Sequence, residues 1–232
     1  MDKMAKENQS FIENSEQVFE ETLSRVELWF NKNQKIIAGI AVGIVVVIGA
    51  FLAYRFLYQQ PRDKSASEAM FAAERYFDMD SLDIALNGDG VHLGFLDVID
   101  NFGGTDAANL SHYYVGIINL KKGNYSEAID QLKRFKSNEL IVTPLALSAI
   151  GDAYAELGDE DEALAYYKKS IKSHPNDIVT PAVLMKIIIL NDKNGNYKSA
   201  LDYCRRLQEN YTQSQHAREI DKYIAMFEAK LQ

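Results

Sequence analysis

The sequence predicts an all-α protein. A single N-terminal transmembrane helix leads into an α-solenoid of about three helical repeats, with a degenerate hairpin before them and a capping helix after. Three observations predict this. Residues 36–53, IIAGIAVGIVVVIGAFLA, form an uncharged apolar run. From Asn109 onward, apolar residues recur at three- and four-residue steps in paired segments, the spacing of amphipathic helices. The glycines that interrupt each pair, Gly123, Gly158 and Gly195, stand 35 and 37 residues apart, a period in the range of stacked helical repeats.

The first 34 residues are polar and acidic. Phe11, Ile12, Val18, Phe19, Leu23 and Val26 recur at helical steps, while Glu13, Glu16, Glu20, Glu21 and Glu27 occupy the other face. Helices that lie on membranes carry Lys and Arg on that face. An acidic one suits docking to a protein or to itself; a solvated helix with no partner is the other reading.

Residues 35–58 read as the span. With Tyr54 the apolar run has nineteen residues, whose helix rises about 28 Å, close to the hydrocarbon thickness of a bilayer. Trp29 and Phe30 before the run, and Tyr54 and Tyr58 at its end, suit the two interfacial belts. The run is too long, and begins too far in, for a cleaved signal peptide. Gly39 and Gly43 form a small-xxx-small pair that can bring membrane helices together. Arg25, Lys32 and Lys35 before the span balance Arg62, Lys64 and Arg75 after it, so charge bias leaves the orientation open.

A polar linker is expected at 59–64, with Pro61. The degenerate hairpin, 65–106, comprises a helix at 65–79, a turn at 87–90 and a second helix at 91–102. The acids at 83–89 lack the alternating spacing and terminal Glu of a calcium loop. The repeats follow at 109–143, 144–180 and 181–214, within a 109–232 domain ended by the capping helix. A polar outer face there is what the end of a solenoid requires.

The middle repeat carries the most specific pattern. Leu147, Gly151, Tyr154, Gly158, Ala163, Tyr167, Ser170 and Pro175 occupy signature positions, and the segment resembles the tetratricopeptide repeat. In the third repeat Ile188 stands where the other two have Gly116 and Gly151, which implies looser packing there.

What such an array does follows from the resemblance: its inner helices line a concave protein-binding groove. The groove positions are Leu110, Tyr113, Ile117 and Leu120 in the first repeat. The second supplies Leu145, Ser148, Asp152 and Glu156, and the third Ala182, Met185, Ile189 and Asp192. Capture of a carboxylate calls for Lys or Arg, and these positions hold none. An apolar or weakly basic segment is therefore the expected ligand. Alternatively, the same side chains are covered by the next helix or by the capping one.

Other function classes find little support. The chain has 25 Lys+Arg against 33 Asp+Glu, a net charge of −8, unsuited to neutralising nucleic-acid phosphates. His92, His112, His174 and His216 are scattered, with no Asp, Glu or Cys at ligand or triad spacing. The one cysteine, Cys204, falls on a repeat core position. No catalytic residues, metal, cofactor or small-molecule substrate are expected.

From Glu27 to the C-terminus the layout of one span, an atypical hairpin and about three repeats resembles the bacterial YfgM-type family. That resemblance implies an inner-membrane protein with its N-terminus in the cytoplasm and its repeats in the periplasm. It further implies an accessory or chaperone-like role, with Sec translocon subunits and a membrane-bound prolyl isomerase chaperone as partners. A structural organiser of an envelope complex and a cytoplasm-facing regulatory scaffold are the alternatives.

Overall fold

The computed structural model describes residues 29, 30 and 32–232; the amphipathic segment expected at 1–34 falls almost wholly outside them. Two units are distinguished, one ending at Pro61 and one running from Arg62 to Gln232. Every regular element among the described residues is helical.

In the first unit, α1 (32–54) passes into a π-helical turn, Arg55–Gln59. The helix beginning at Lys32 is long and apolar enough to cross a membrane, with an 18-residue stretch whose mean hydropathy is 2.9. Most of the large side chains of α1, Ile40, Val45 and Phe51 among them, are exposed. The polar linker expected at 59–64 is instead helical. Pro61 lacks an N–H, and its ring would press on the carbonyl of Leu57. The π turn, in which the Gln60 N–H donates to the Arg55 carbonyl, widens the ladder just before it.

The second unit continues with α2 (Gln60–Asp78), α3 (Leu82–Asn87) and α4 (Phe95–Asn101). The expected two-helix hairpin is thus three helices, the last shorter than 91–102. Asp80 adopts φ 56°, a left-handed conformation that reverses the chain after α2 and lets the short α3 form. Residues 88–94 are held out of helix by Asp89. Its Oδ1 accepts from the Val91 and His92 N–H groups, and its Oδ2 from the Tyr76 hydroxyl at 2.6 Å. These donors, the His92 backbone first, hold the carboxyl far below the usual carboxylate range.

The repeats are antiparallel pairs: α5 (Asp106–Lys121) with α6 (Tyr125–Arg134), α7 (Val142–Glu156) with α8 (Glu160–Ser173), and α9 (Thr180–Lys193) with α10 (Tyr197–Asn210). Thr105 and Asp159 cap α5 and α8 by accepting from backbone N–H groups, satisfying donors that a helix start leaves open. Gly158 sits at φ 81°, which permits the reversal between α7 and α8 without Cβ strain. Ahead of the cap, residues 212–216 are irregular, then a 3₁₀ turn, Ala217–Glu219, precedes α11 (Ile220–Lys230).

Close approach within each pair rests on one small-against-large position. A Cβ built on Gly116 would lie 2.5 Å from Leu132 Cγ, and one on Gly151 would lie 2.6 Å from Tyr167 Cδ1. Leu132, Tyr167 and Cys204 share one register after their turn glycines. The third repeat therefore inverts the pair, with Ile188 large and Cys204 small. Both are fully buried, although α9 and α10 approach each other less closely than α7 and α8 do, as the large Ile188 leads one to expect. The volume has moved across the interface, a swap that cores tolerate well.

Candidate protein-binding groove

The inner helices α5, α7 and α9 position the side chains that the repeat pattern assigns to the groove. On α5, Leu110, Tyr113, Ile117 and Leu120 are all half-buried. Tyr113 packs on Phe135 and Tyr114, with ring centroids 5.5 and 5.6 Å away, and burial raises its hydroxyl pKa. Ile117 and Leu120 lie against the α6–α7 core. This end of the groove is floor rather than rim.

Helix α7 divides its four positions. Leu145 and Glu156 are exposed, Asp152 is half-buried, and Ser148 is 3% exposed. The Tyr125 hydroxyl donates to Glu156 at 3.3 Å. Lys186 of α9 decides the state of the other two. Its ammonium donates to Ser148 Oγ at 3.0 Å and to Asp152 Oδ2 at 2.7 Å. The Tyr167 hydroxyl donates to Asp152 Oδ1 at 2.8 Å. Ser148 has no surface left for a ligand, and the Asp152 charge is neutralised from within the fold.

On α9, Ala182 and Met185 are half-buried and Ile189 is 56% exposed. Asp192 accepts from Lys230 of α11 at 2.6 Å. Met185 shares a small hollow with Gln215, His216, Glu219 and Tyr223. The capping helix and the segment before it therefore neutralise Asp192 and flank Met185, but leave Ile189 open. The open apolar contacts are Leu145 and Ile189. Met185 is a softer neighbour, since a thioether adapts its shape to what touches it.

Lys186 and Lys230 follow one rule. Lys121 reaches back to Asp80 at 3.1 Å, and Lys193 to Glu160 at 2.5 Å. Each lysine joins an element to an earlier pair. The sequence reading missed Lys186 because it lies beside a groove position rather than on one. A signal was present all the same: it follows Asp152 by 34 residues, one repeat length.

The tetratricopeptide repeat family matches residues 144–177. This segment comprises α7, its turn and α8, the helices that present Leu145 and bury Ser148. Such repeats are protein–protein interaction scaffolds and are generally non-catalytic. No curated protein matches the chain.

Gly39 and Gly43 lie on α1, where an added Cβ would meet nothing within 4 Å. Among the described residues no group of three or more His, Cys, Asp or Glu converges as a metal site would. The Cys204 thiol is fully buried, and burial pushes its pKa up to about 12. Its thiolate, the reactive form, is therefore absent near neutral pH.

The same burial dictates an alkaline response. Tyr114 is pushed up to about 12 by burial and then by Glu74. Tyr167 is raised by burial and by Asp152. Unfolded, a Cys titrates near about 8.5 and a Tyr near about 10. Between those values and about 12 the native chain keeps protons that the unfolded chain releases. Stability is therefore full below about pH 8.5 and falls as pH rises, by about 1.4 kcal/mol per pH unit for each group fully in that window. Urea midpoints measured at about pH 8 and about pH 10.5 should fall accordingly; equal midpoints would contradict the burial of these groups.

Proposed function

We propose that this chain is a membrane-anchored scaffold whose inner helices hold an apolar segment of a partner protein. The observation that carries the reading is the open pair Leu145 and Ile189, set on α7 and α9 around a matched tetratricopeptide repeat. The internal neutralisation of Asp152 and Asp192 supports an apolar ligand over a basic one.

Helix α1 is the anchor in this reading, because its exposed apolar side chains require a non-aqueous surround. Gly39 and Gly43 are the face through which α1 packs on a second membrane helix. The layout resemblance supports the finer statement. It makes the chain an accessory of the Sec translocon in a bacterial inner membrane, N-terminus cytoplasmic and repeats periplasmic, working beside a membrane-bound prolyl isomerase chaperone. Anchoring both parties turns a weak groove contact into a local one.

The test uses full-length protein in native membranes. Leu145→Glu with Ile189→Glu should abolish crosslinking to a bound partner while helical content stays unchanged, because both side chains are exposed. Persistent crosslinking in the folded double variant would remove the groove from the account. Proteins that co-purify in mild detergent decide the finer reading. Recovery of translocon subunits with a periplasmic folding factor is expected, and recovery of cytoplasmic proteins alone would overturn the orientation.

A further inference from the structure

The outer helices carry a feature that the groove reading does not use. Each holds two adjacent cations at one register: Lys133-Arg134 on α6, Lys168-Lys169 on α8 and Arg205-Arg206 on α10, ten and eleven residues after Gly123, Gly158 and Gly195. Five of the six are exposed and Arg206 is half-exposed. The pairs on α6 and α8 are brought together in space. Lys133 Nζ lies 5.7 Å from the centroid of the Tyr166 ring, and Lys169 Nζ lies 4.2 Å from the same centroid. Lys168 and the first turns of α10 line one open hollow.

Helix dipoles do not explain this register. They favour cations in the last turn of a helix, which holds Lys133 and Arg134 of α6 but neither pair of α8 and α10. Internal pairing does not explain it either. Arg205 meets Glu228 at 3.1 Å, and the Tyr154 hydroxyl accepts from Lys133 at 2.8 Å. Among the described residues no carboxylate forms an ion pair with Lys133, Arg134, Lys168, Lys169 or Arg206. Like charges set side by side repel, and here the pairs on α6 and α8 meet over one tyrosine ring in a chain whose net charge is −8.

We propose that this band docks on the anionic phospholipid headgroups of the leaflet beside α1. The proposal rests on α1 being an anchor: the repeat-bearing unit begins at Arg62, close after the apolar run, so headgroups are held at high effective concentration. Cations repeated along successive helices suit an extended charged surface, near which each Lys or Arg adds a favourable increment. Docking through the outer helices leaves the inner-helix face free for a partner.

The full chain reconstituted in lipid nanodiscs tests this, since both disc faces are accessible to a water-soluble amine-acetylating reagent. Discs of phosphatidylcholine alone are compared with discs of an equal mixture of phosphatidylcholine and phosphatidylglycerol. Lys133, Lys168 and Lys169 should be acetylated roughly threefold or more slowly in the mixed discs, relative to Lys222 on α11. Salt at about 0.5 M should restore their rates. Lys168→Glu with Lys169→Glu should return Lys133 to its rate in phosphatidylcholine.

Equal rates in both discs would overturn the docking while leaving the anchor intact. Protection by added polyglutamate or duplex DNA, with none from lipid, would assign the band to that polyanion and overturn the lipid reading. Failure to co-elute with phosphatidylcholine discs would overturn the anchor itself, and the docking with it.

Discussion

Phe227→Ala is expected to lower the stability of the repeat-bearing unit by about 3–5 kcal/mol. Phe227 is fully buried on α11, in one cluster with Leu184, Ile187, Ile188, Leu207 and Ile220, and its ring stacks on Tyr197 at 6.4 Å. Removing the ring leaves a cavity between the cap and the third repeat, which relaxes only partly in a close-packed interior. The polar contacts that remain between α11 and the third repeat are exposed ones, Lys230 to Asp192, Arg205 to Glu228 and Gln208 to Asp221, each contributing about 1 kcal/mol or less. They cannot hold the helix in place alone. Urea unfolding followed by far-ultraviolet circular dichroism measures the loss. A change below about 1 kcal/mol would mean that α11 does not close the solenoid in solution.

Gly151→Val is expected to cost about 3 kcal/mol or more. The added Cβ would lie 2.6 Å from Tyr167 Cδ1 and Cε1 and 3.2 Å from the Ala163 carbonyl oxygen. The ring cannot swing aside easily: Tyr167 is 4% exposed and its hydroxyl is fixed on Asp152. Relief requires α7 and α8 to separate, which also breaks the Tyr167–Asp152 hydrogen bond between them. Gly151→Ala should cost less, because the gain in helix propensity, about 1 kcal/mol, offsets part of the clash. Thermal and urea melts of both variants test the order. A Val variant as stable as the native chain would show that the two helices are not in close contact at this point.

These two variants probe the joints on which the proposed groove depends. Leu145 and Ile189 sit on different repeats, so their separation is fixed only while α7 and α9 stay packed. The lysines that reach back across repeats add orientation rather than bulk stability, since exposed ion pairs contribute little. Lys186 is the exception in consequence: it removes two polar positions from the groove and makes what remains more apolar.

The sequence by itself determined the helical pairs, their turns and the apolar run. These are local properties: spacing along one helix, a glycine at a turn, a stretch without charge. Gly158 and the residues around it carry the repeat pattern within 34 residues, and the family match falls on 144–177. The short α3 was not legible, because six residues carry too little periodicity and its start depends on the conformation of Asp80. Nor was the helical course of 59–64, where a π turn accommodates Pro61. Only the tertiary structure decided which groove positions remain open. Ser148 and Asp152 are closed by a lysine one repeat away, and Asp192 by another from the cap. Ile188 and Cys204 exchange sizes across a helix pair. Such outcomes depend on which side chains meet between elements distant in sequence, and a pattern read along one chain does not contain that meeting.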